Sequence, residues 1–246
     1  MKLLTYTLFS SAILCSASQA FCEDIYVPHL TPIKQELLPN SKTYEGCGPI
    51  AAAMLLGYYQ TEHNLSLLED SFNGTQKPYE SIKEIYKTLK TKPSPTFPRS
   101  SSFRSSYTLP GDLKQGLKDI LLANGYGYKY KVNSVSFNRK WKTKLKAIKS
   151  SLKQGNPLIA LIRNIPPCIS GKNSPTKFIW HYIVLNGIDF SNKSIYLLDG
   201  YFQGTKNDTS SPDKHRRSNS RYSGPIACTF DEVKNSNLGL FYFTKI

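Results

Sequence analysis

The chain has 246 residues, 39% of them hydrophobic and 12% aromatic, which is too apolar for a disordered chain and enough for one domain with a sizeable core. Five cysteines in that length do not make a disulfide scaffold, and no two of them have zinc-site spacing. The formal charge of +15 sets up a positive field that favours anionic surfaces, whether membrane headgroups, nucleic acid, cell-wall polymers or acidic proteins, without selecting one.

Residues 1–20 read as a signal peptide. Lys2 supplies the positive start, an apolar stretch runs from Leu3 to Leu14, and Ser18-Gln19-Ala20 offers small residues where a signal peptidase reads. The stretch is too short to span a membrane, and no later run is apolar enough to do so. Export with cleavage after Ala20 is therefore expected, giving a secreted, extracellular or periplasmic protein whose residues 21–246 form a single domain. Cleavage removes Cys15 and leaves Cys22, Cys47, Cys168 and Cys228. If Cys47 stays a free thiol, at most one disulfide can form within the chain. Cys168 with Cys228 is the expected pair, because both lie in predicted loops.

Residues 21–46 are expected to be extended and irregular, since Pro28, Pro32 and Pro39 interrupt any long helix. The run from Gly48 to Gln60 is apolar nearly all round and reads as a buried central helix with Pro49 in its first turn. A short helix is predicted near Glu80–Lys90, followed by a Pro/Ser-rich surface loop over 91–110. Asp112 is placed as the cap of a helix with the stripe Leu113, Leu117, Ile120 and Leu121, ended by Gly125. A strand is expected around Tyr126–Val132.

A further helix follows from Trp141 to Gln154, with Trp141, Leu145, Ile148 and Leu152 on one face and Gly155 as its stop. Residues 157–163 read as a buried strand and 164–178 as a loop. Residues 179–189 and 194–200 read as a hairpin turning at Phe190–Lys193, after which 201–225 is a polar, basic loop and the chain ends in a strand. Helices first and then a helix feeding mainly antiparallel strands is an α+β pattern.

Three residues carry the chemistry of this reading. Cys47 lies in Tyr44-Glu45-Gly46-Cys47-Gly48-Pro49 at the start of the central helix, where free N–H groups and the helix dipole favour a thiolate and flanking glycines admit a substrate backbone. His181 opens an apolar strand, and the other histidines, His29, His63 and His215, lie in loops or beyond a helix end. Antiparallel pairing in the predicted hairpin sets roughly residues 199–202 opposite His181, so Asp199 can reach the imidazole and hold one tautomer. Each has an ordinary alternative: a packed cysteine, a core histidine, a strand-end aspartate before Gly200. Together they form a nucleophile, a base and an orienting carboxylate.

These stretches, 44–60 and 179–200, resemble papain-like cysteine peptidases, and most closely the bacterial bacteriocin-processing-like branch, family thirty-nine of cysteine peptidases. In that branch Gly-Cys-Gly-Pro opens the central helix, as Gly46-Cys47-Gly48-Pro49 does here. A Gly-x-Pro-hydrophobic strand precedes the histidine, as Gly155-Asn156-Pro157-Leu158 does. A Gly-containing hairpin and an aspartate follow, as Gly187 and Asp199 do. The resemblance implies a papain-like fold, a central helix carrying the cysteine on a mainly antiparallel sheet, and hydrolysis of amide bonds in a protein or peptide substrate, without metal or cofactor. It departs at one point. The family's oxyanion-hole glutamine precedes the cysteine by about six residues, where this chain has Ser41 beside Asn40, and the nearest glutamine is Gln35, twelve residues upstream. Gln35 is preferred to Asn40, because Val27–Gln35 resembles the family's approach to its glutamine.

A cysteine, a histidine and an aspartate on this scaffold also serve thiol acyltransferases and deamidases, and the displaced glutamine leaves room for an inactive binding protein. From Lys129 to Lys153 there are nine Lys or Arg and no Asp or Glu, among them Arg139, Lys140, Lys142, Lys144, Lys146, Lys149 and Lys153. The plain reading is a solvated face. The sharper one is an anion-binding surface extended by Lys214, His215, Arg216 and Arg217, without a motif for specific nucleic-acid binding. A monomer is expected.

Overall fold

The computed structural model describes residues 24–35, 43, 45–69, 78–100, 103–170, 180–200 and 225–246, with the side chains of 94–100, 103–105 and 170 outside that description. The expected signal peptide, Cys22, Asn40 and the basic loop through residue 224 lie outside the described residues.

Helix α1, Cys47–Glu62, is built from Ala51–Ala53, Met54, Leu55 and Leu56, strong helix formers whose side chains are fully buried. Pro49 sits in the first turn, where its missing N–H has no partner to lose. With apolar residues on every side, α1 can only be stable when enclosed, and α2 (Tyr79–Thr88), α3 (Pro110–Ala123) and strands β5 (Leu158–Ile162) and β6 (His181–Asp189) pack around it.

The main sheet has seven strands among the described residues, all antiparallel. Its order is β4 (Tyr130–Val135), β9 (Gly239–Lys245), β5 (Leu158–Ile162), β6 (His181–Asp189), β7 (Ser194–Leu198) and β8 (Ile226–Thr229), with β1 (Ile25–Tyr26) also paired to β6. The central strands β5 and β6 are buried at every position, which explains why they read as continuous apolar runs and not as alternating ones. Helix α4, Trp141–Lys153, packs on β1, β5, β6 and β9. Its turn into β5 is tied to α1, where the Tyr58 hydroxyl donates to the Gly155 carbonyl (2.5 Å) and the Tyr59 hydroxyl to Asn156 Oδ1 (2.8 Å).

Several expectations are corrected here. Residues 91–110 are not a loop: β2 (Lys92–Ser100) and β3 (Phe103–Tyr107) form an antiparallel ribbon. Both strands of a two-stranded ribbon are edges, so the prolines that signal a loop cost it few ladder bonds. Asp112 is in the first turn of α3 but does not cap it; Leu109 holds the cap position and Pro110 the first turn. The strand expected at Tyr126–Val132 starts at Tyr130, because Gly125 and the turn after it (Tyr126 N–H to the Leu121 carbonyl, 2.7 Å) still complete the end of α3.

Strand β8 and helix α6 (Phe230–Asn235) were not anticipated. The spacing Thr229-x-x-Glu232 marks the start of α6. The Glu232 N–H donates to Thr229 Oγ1 (3.2 Å), and the Thr229 N–H donates to the Glu232 carboxylate (2.8 Å). The Cys168–Cys228 disulfide is present, but its halves lie in short helix α5 (Pro167–Ser170) and strand β8, not in loops. Lys144 is removed from the basic face. It is buried, and its ammonium donates to the Phe137 carbonyl (2.7 Å), which fastens the turn leading into α4. Lys142 and Lys146 do face solvent.

Candidate active site

Cys47 is the first residue of α1 and is half-buried; it is the free cysteine among the described residues. Two glycines fit it into place. Gly46 precedes the helix at φ +86°, a conformation side chains rarely adopt. Gly48 lies directly against the Thr108 side chain, so any β-carbon there would overlap it. Thr108 and Thr91 share a hydroxyl hydrogen bond of 2.7 Å, and the Tyr182 hydroxyl donates to the Thr108 carbonyl (3.1 Å). The root of the β2–β3 ribbon thus forms a wall against the start of α1. Sequence reasoning missed Thr91, Thr108 and Tyr182, and the signal that pointed to them was the pair of glycines around the cysteine.

His181 begins β6 and is buried. Its Nε2 lies 2.8 Å from Asp199 Oδ2, and the imidazole also hydrogen-bonds the Cys47 side chain. With Nε2 engaged by the carboxylate, Nδ1 is the nitrogen left for the sulfur. Burial by itself disfavours the imidazolium. The Asp199 carboxylate, through charge and hydrogen bond, and then Cys47 outweigh it, and the histidine is pushed up to about 10. The Tyr182 phenol beside them is held well above its usual range, by burial first and then by the charges of Cys47 and Asp112, so it stays neutral and serves as a donor.

Asp199 follows β7 and is buried too. The next residue, Gly200, is pressed between the first turn of α1 and the N-terminal segment. A β-carbon at Gly200 would stand 2.6 Å from Ile50 Cγ2 and 2.8 Å from the Ile33 carbonyl oxygen. The Gln35 N–H donates to the Gly200 carbonyl (2.8 Å), while at the other end of the segment the Val27 N–H donates to the Asn186 carbonyl (2.7 Å). Residues 27–35 are therefore strapped along the sheet, and the backbone of Gln35 is held beside the Asp199–Gly200 turn. The four site residues expected from sequence converge on one end of α1: Cys47, His181 and Asp199 through their side chains, Gln35 through its backbone. Among the described residues no cluster of His, Cys, Asp and Glu has the arrangement of a metal site.

A buried helix with a cysteine at its start, set on an antiparallel sheet that carries a histidine, is the architecture of papain-like cysteine proteases. Among solved structures, the chain is similar to prointerpain A of Prevotella intermedia, with a TM-score of 0.52 and 12% identity over 89% of this chain and 71% of that one. It is also similar to xylellain, a cysteine protease from Xylella fastidiosa, with a TM-score of 0.45 and 14% identity over 90% of this chain and 85% of that one. No curated protein matches the chain. Residues 27–223 match the Peptidase_C39 like family, and the chain belongs to it. It is a cysteine peptidase.

Proposed function

We propose that this protein is an exported peptidase that hydrolyses peptide bonds through a Cys47–His181–Asp199 triad, with Gln35 completing the oxyanion hole. The observation that carries the reading is the position of the His181 imidazole, bonded to Asp199 on one side and to Cys47 on the other, with all water excluded from the Asp199 carboxylate.

The reaction follows from those positions. The Cys47 thiol gives its proton to His181, and the sulfur attacks the carbonyl carbon of the scissile bond, forming C–S while the carbonyl electrons move onto oxygen. In this reading, backbone N–H at the start of α1 and the Gln35 side-chain amide are the donors to that oxygen. Collapse breaks the C–N bond, and His181 passes its proton to the departing amine. Water, deprotonated by His181, then attacks the thioester. The C–S bond breaks, a carboxylic acid leaves, and the thiol is restored. Throughout, Asp199 keeps the ring oriented and favours its charged form.

Export rests on Lys2, the apolar stretch Leu3–Leu14 and Ser18-Gln19-Ala20, and the Cys168–Cys228 disulfide supports it, since such bonds persist in oxidising compartments. The mature protein works as a monomer on a protein or peptide, and the exposed lysines of the 129–153 stretch meet anionic surfaces. The test is to incubate the mature protein with a thiol-directed peptidase probe and a peptide library, beside Cys47→Ala and His181→Ala. Cleavage and Cys47 labelling lost in both variants support the reading. A mass gain of about one dalton or a crosslink in place of cleavage, or labelling spread equally over the cysteines, overturns it.

A further inference from the structure

Next to His181 the sheet carries a feature that the triad does not use. His181 pairs with Ile162 at the end of the β5–β6 ladder, so the next cross-strand position joins Trp180 to Arg163. The Arg163 guanidinium lies 5.0 Å from the Trp180 ring centre and 4.8 Å from that of Phe137, and the two rings meet at 84° with centres 5.3 Å apart. It thus occupies the corner of two aromatic walls, an arrangement that attracts a cation and holds its plane still.

The corner is built from below. Phe137 rests on Gly239, where a β-carbon would come within 3.2 Å of the ring, and its carbonyl is held by the buried Lys144 ammonium (2.7 Å). The Arg163 backbone N–H donates to the Ser236 carbonyl (3.0 Å). Trp180 adopts φ +135°, a conformation a bulky residue keeps only when its surroundings impose it, and it is still 43% exposed.

An ordinary surface arginine is free to swing through solvent. This one is held against two rings, exposed and one ladder step beyond the Ile162–His181 pair, and no carboxylate among the described residues pairs with it. A guanidinium held with its N–H edge open matches one ligand best, a carboxylate received by paired hydrogen bonds.

We propose that Arg163, set in the corner of Phe137 and Trp180 beside His181, is a specificity residue that receives a carboxylate of the substrate close to the scissile bond. The proposal rests on Cys47 and His181 as the reacting pair. It assigns the enzyme acidic substrates, a preference that the chain's net positive charge reinforces at longer range.

Two measurements test it separately from the catalytic reading. In the first, the mature enzyme cleaves a library of quenched peptides whose positions flanking the scissile bond carry Asp or Glu against Asn or Gln. The expected kcat/KM is at least tenfold higher for the acid at one position. In Arg163→Ala that ratio falls towards one through loss on the acid peptides, while iodoacetamide labelling of Cys47, which involves no substrate carboxylate, keeps the parent rate; Arg163→Glu turns the preference towards Lys. In the second, Cys47→Ala binds the same labelled peptides uncleaved, followed by fluorescence anisotropy, with tighter binding of the acid forms that is lost on adding Arg163→Ala. Absence of an acid preference, or a preference that survives Arg163→Ala, overturns the proposal in either measurement. Binding that follows it while no peptide is cleaved overturns the peptidase reading and leaves Arg163 as a carboxylate site.

Discussion

Asp199 meets His181 because Asn186 is bulged out of the β6–β7 ladder. From Asp189↔Ser194 to Gly187↔Tyr196 the strands keep one register; from Leu185↔Leu197 onward they keep another, one residue out of step. Continued past Val184↔Leu198, the second register sets Asp199 opposite Ile183, on the face that His181 shares two residues away. In the first register Asp199 would fall opposite Val184 and point to the other face, since a slip of one residue inverts a strand. The 2.8 Å contact depends on that single extra residue, whose carbonyl also anchors Val27.

Replacing the carboxylate tests its role. Asp199→Asn is expected to lower kcat/KM by on the order of 100-fold, the scale of a lost acid–base alignment. The alkaline limb of the pH profile is expected well above the ordinary histidine range in the parent enzyme and lower in the variant, because the strongest influence holding the proton on His181 is gone. A pH–rate profile of both proteins reads this, and an unmoved limb contradicts it.

Stability carries the same signature. Folding raises His181 from 6.5 to about 10, so the folded state binds the proton more tightly. The stabilisation is fully present below the unfolded value and is lost as pH rises through the folded one. Thermal melts between pH 6.5 and 10 are therefore expected to show a falling Tm, with a shallower slope in Asp199→Asn.

Gln35→Ala separates the oxyanion hole from the nucleophile. The expected result is a loss of about 100–1000-fold in kcat with little change in KM. Alkylation of Cys47 by iodoacetamide forms no oxyanion, so its rate stays at the parent value. A slowed alkylation would instead mean that Gln35 supports the fold of the site.

Gly48→Ala drives a β-carbon into Thr108 at the wall of the site, and a loss of about 1–3 kcal/mol is expected in denaturant unfolding. Gly111→Ala, in the first turn of α3 with nothing within 4 Å, is expected to be neutral or stabilising. Equal effects at the two positions would show that helix propensity decides both.

The disulfide closes a loop with a sequence separation of 60 that contains both His181 and Asp199. Exchanging Cys168 and Cys228 together for Ser is expected to cost about 4 kcal/mol in unfolding free energy on the chain-entropy account. Activity below the new midpoint should persist; its loss in the folded variant would give the bond a direct role in the site.

Much of the architecture could be read from local pattern. The all-apolar run after Cys47 could only be an enclosed helix, the apolar strand after His181 could only be central, and the turn at Phe190–Lys193 brought Asp199 near the histidine. The ribbon at 92–107 could not be read, because Pro93, Pro95 and Pro98 carry the same local signal in a loop and in an edge pair, and only a partner strand distinguishes them. The removal of Lys144 from the basic face was equally hidden, since a lysine's neighbours in the chain do not tell where its ammonium finds a carbonyl.

By itself the sequence determined the class of fold and pointed to the three side chains proposed to react, because hydrophobic period and helix-start chemistry act between residues near each other in the chain. Tertiary structure alone decided the rest: the bulge at Asn186 that brings Asp199 to the face of His181, the strap that carries Gln35 to Gly200, the threonine wall against Gly48, and the aromatic corner around Arg163. Each joins residues distant in sequence, and such contacts depend on register and packing, which local preference does not specify.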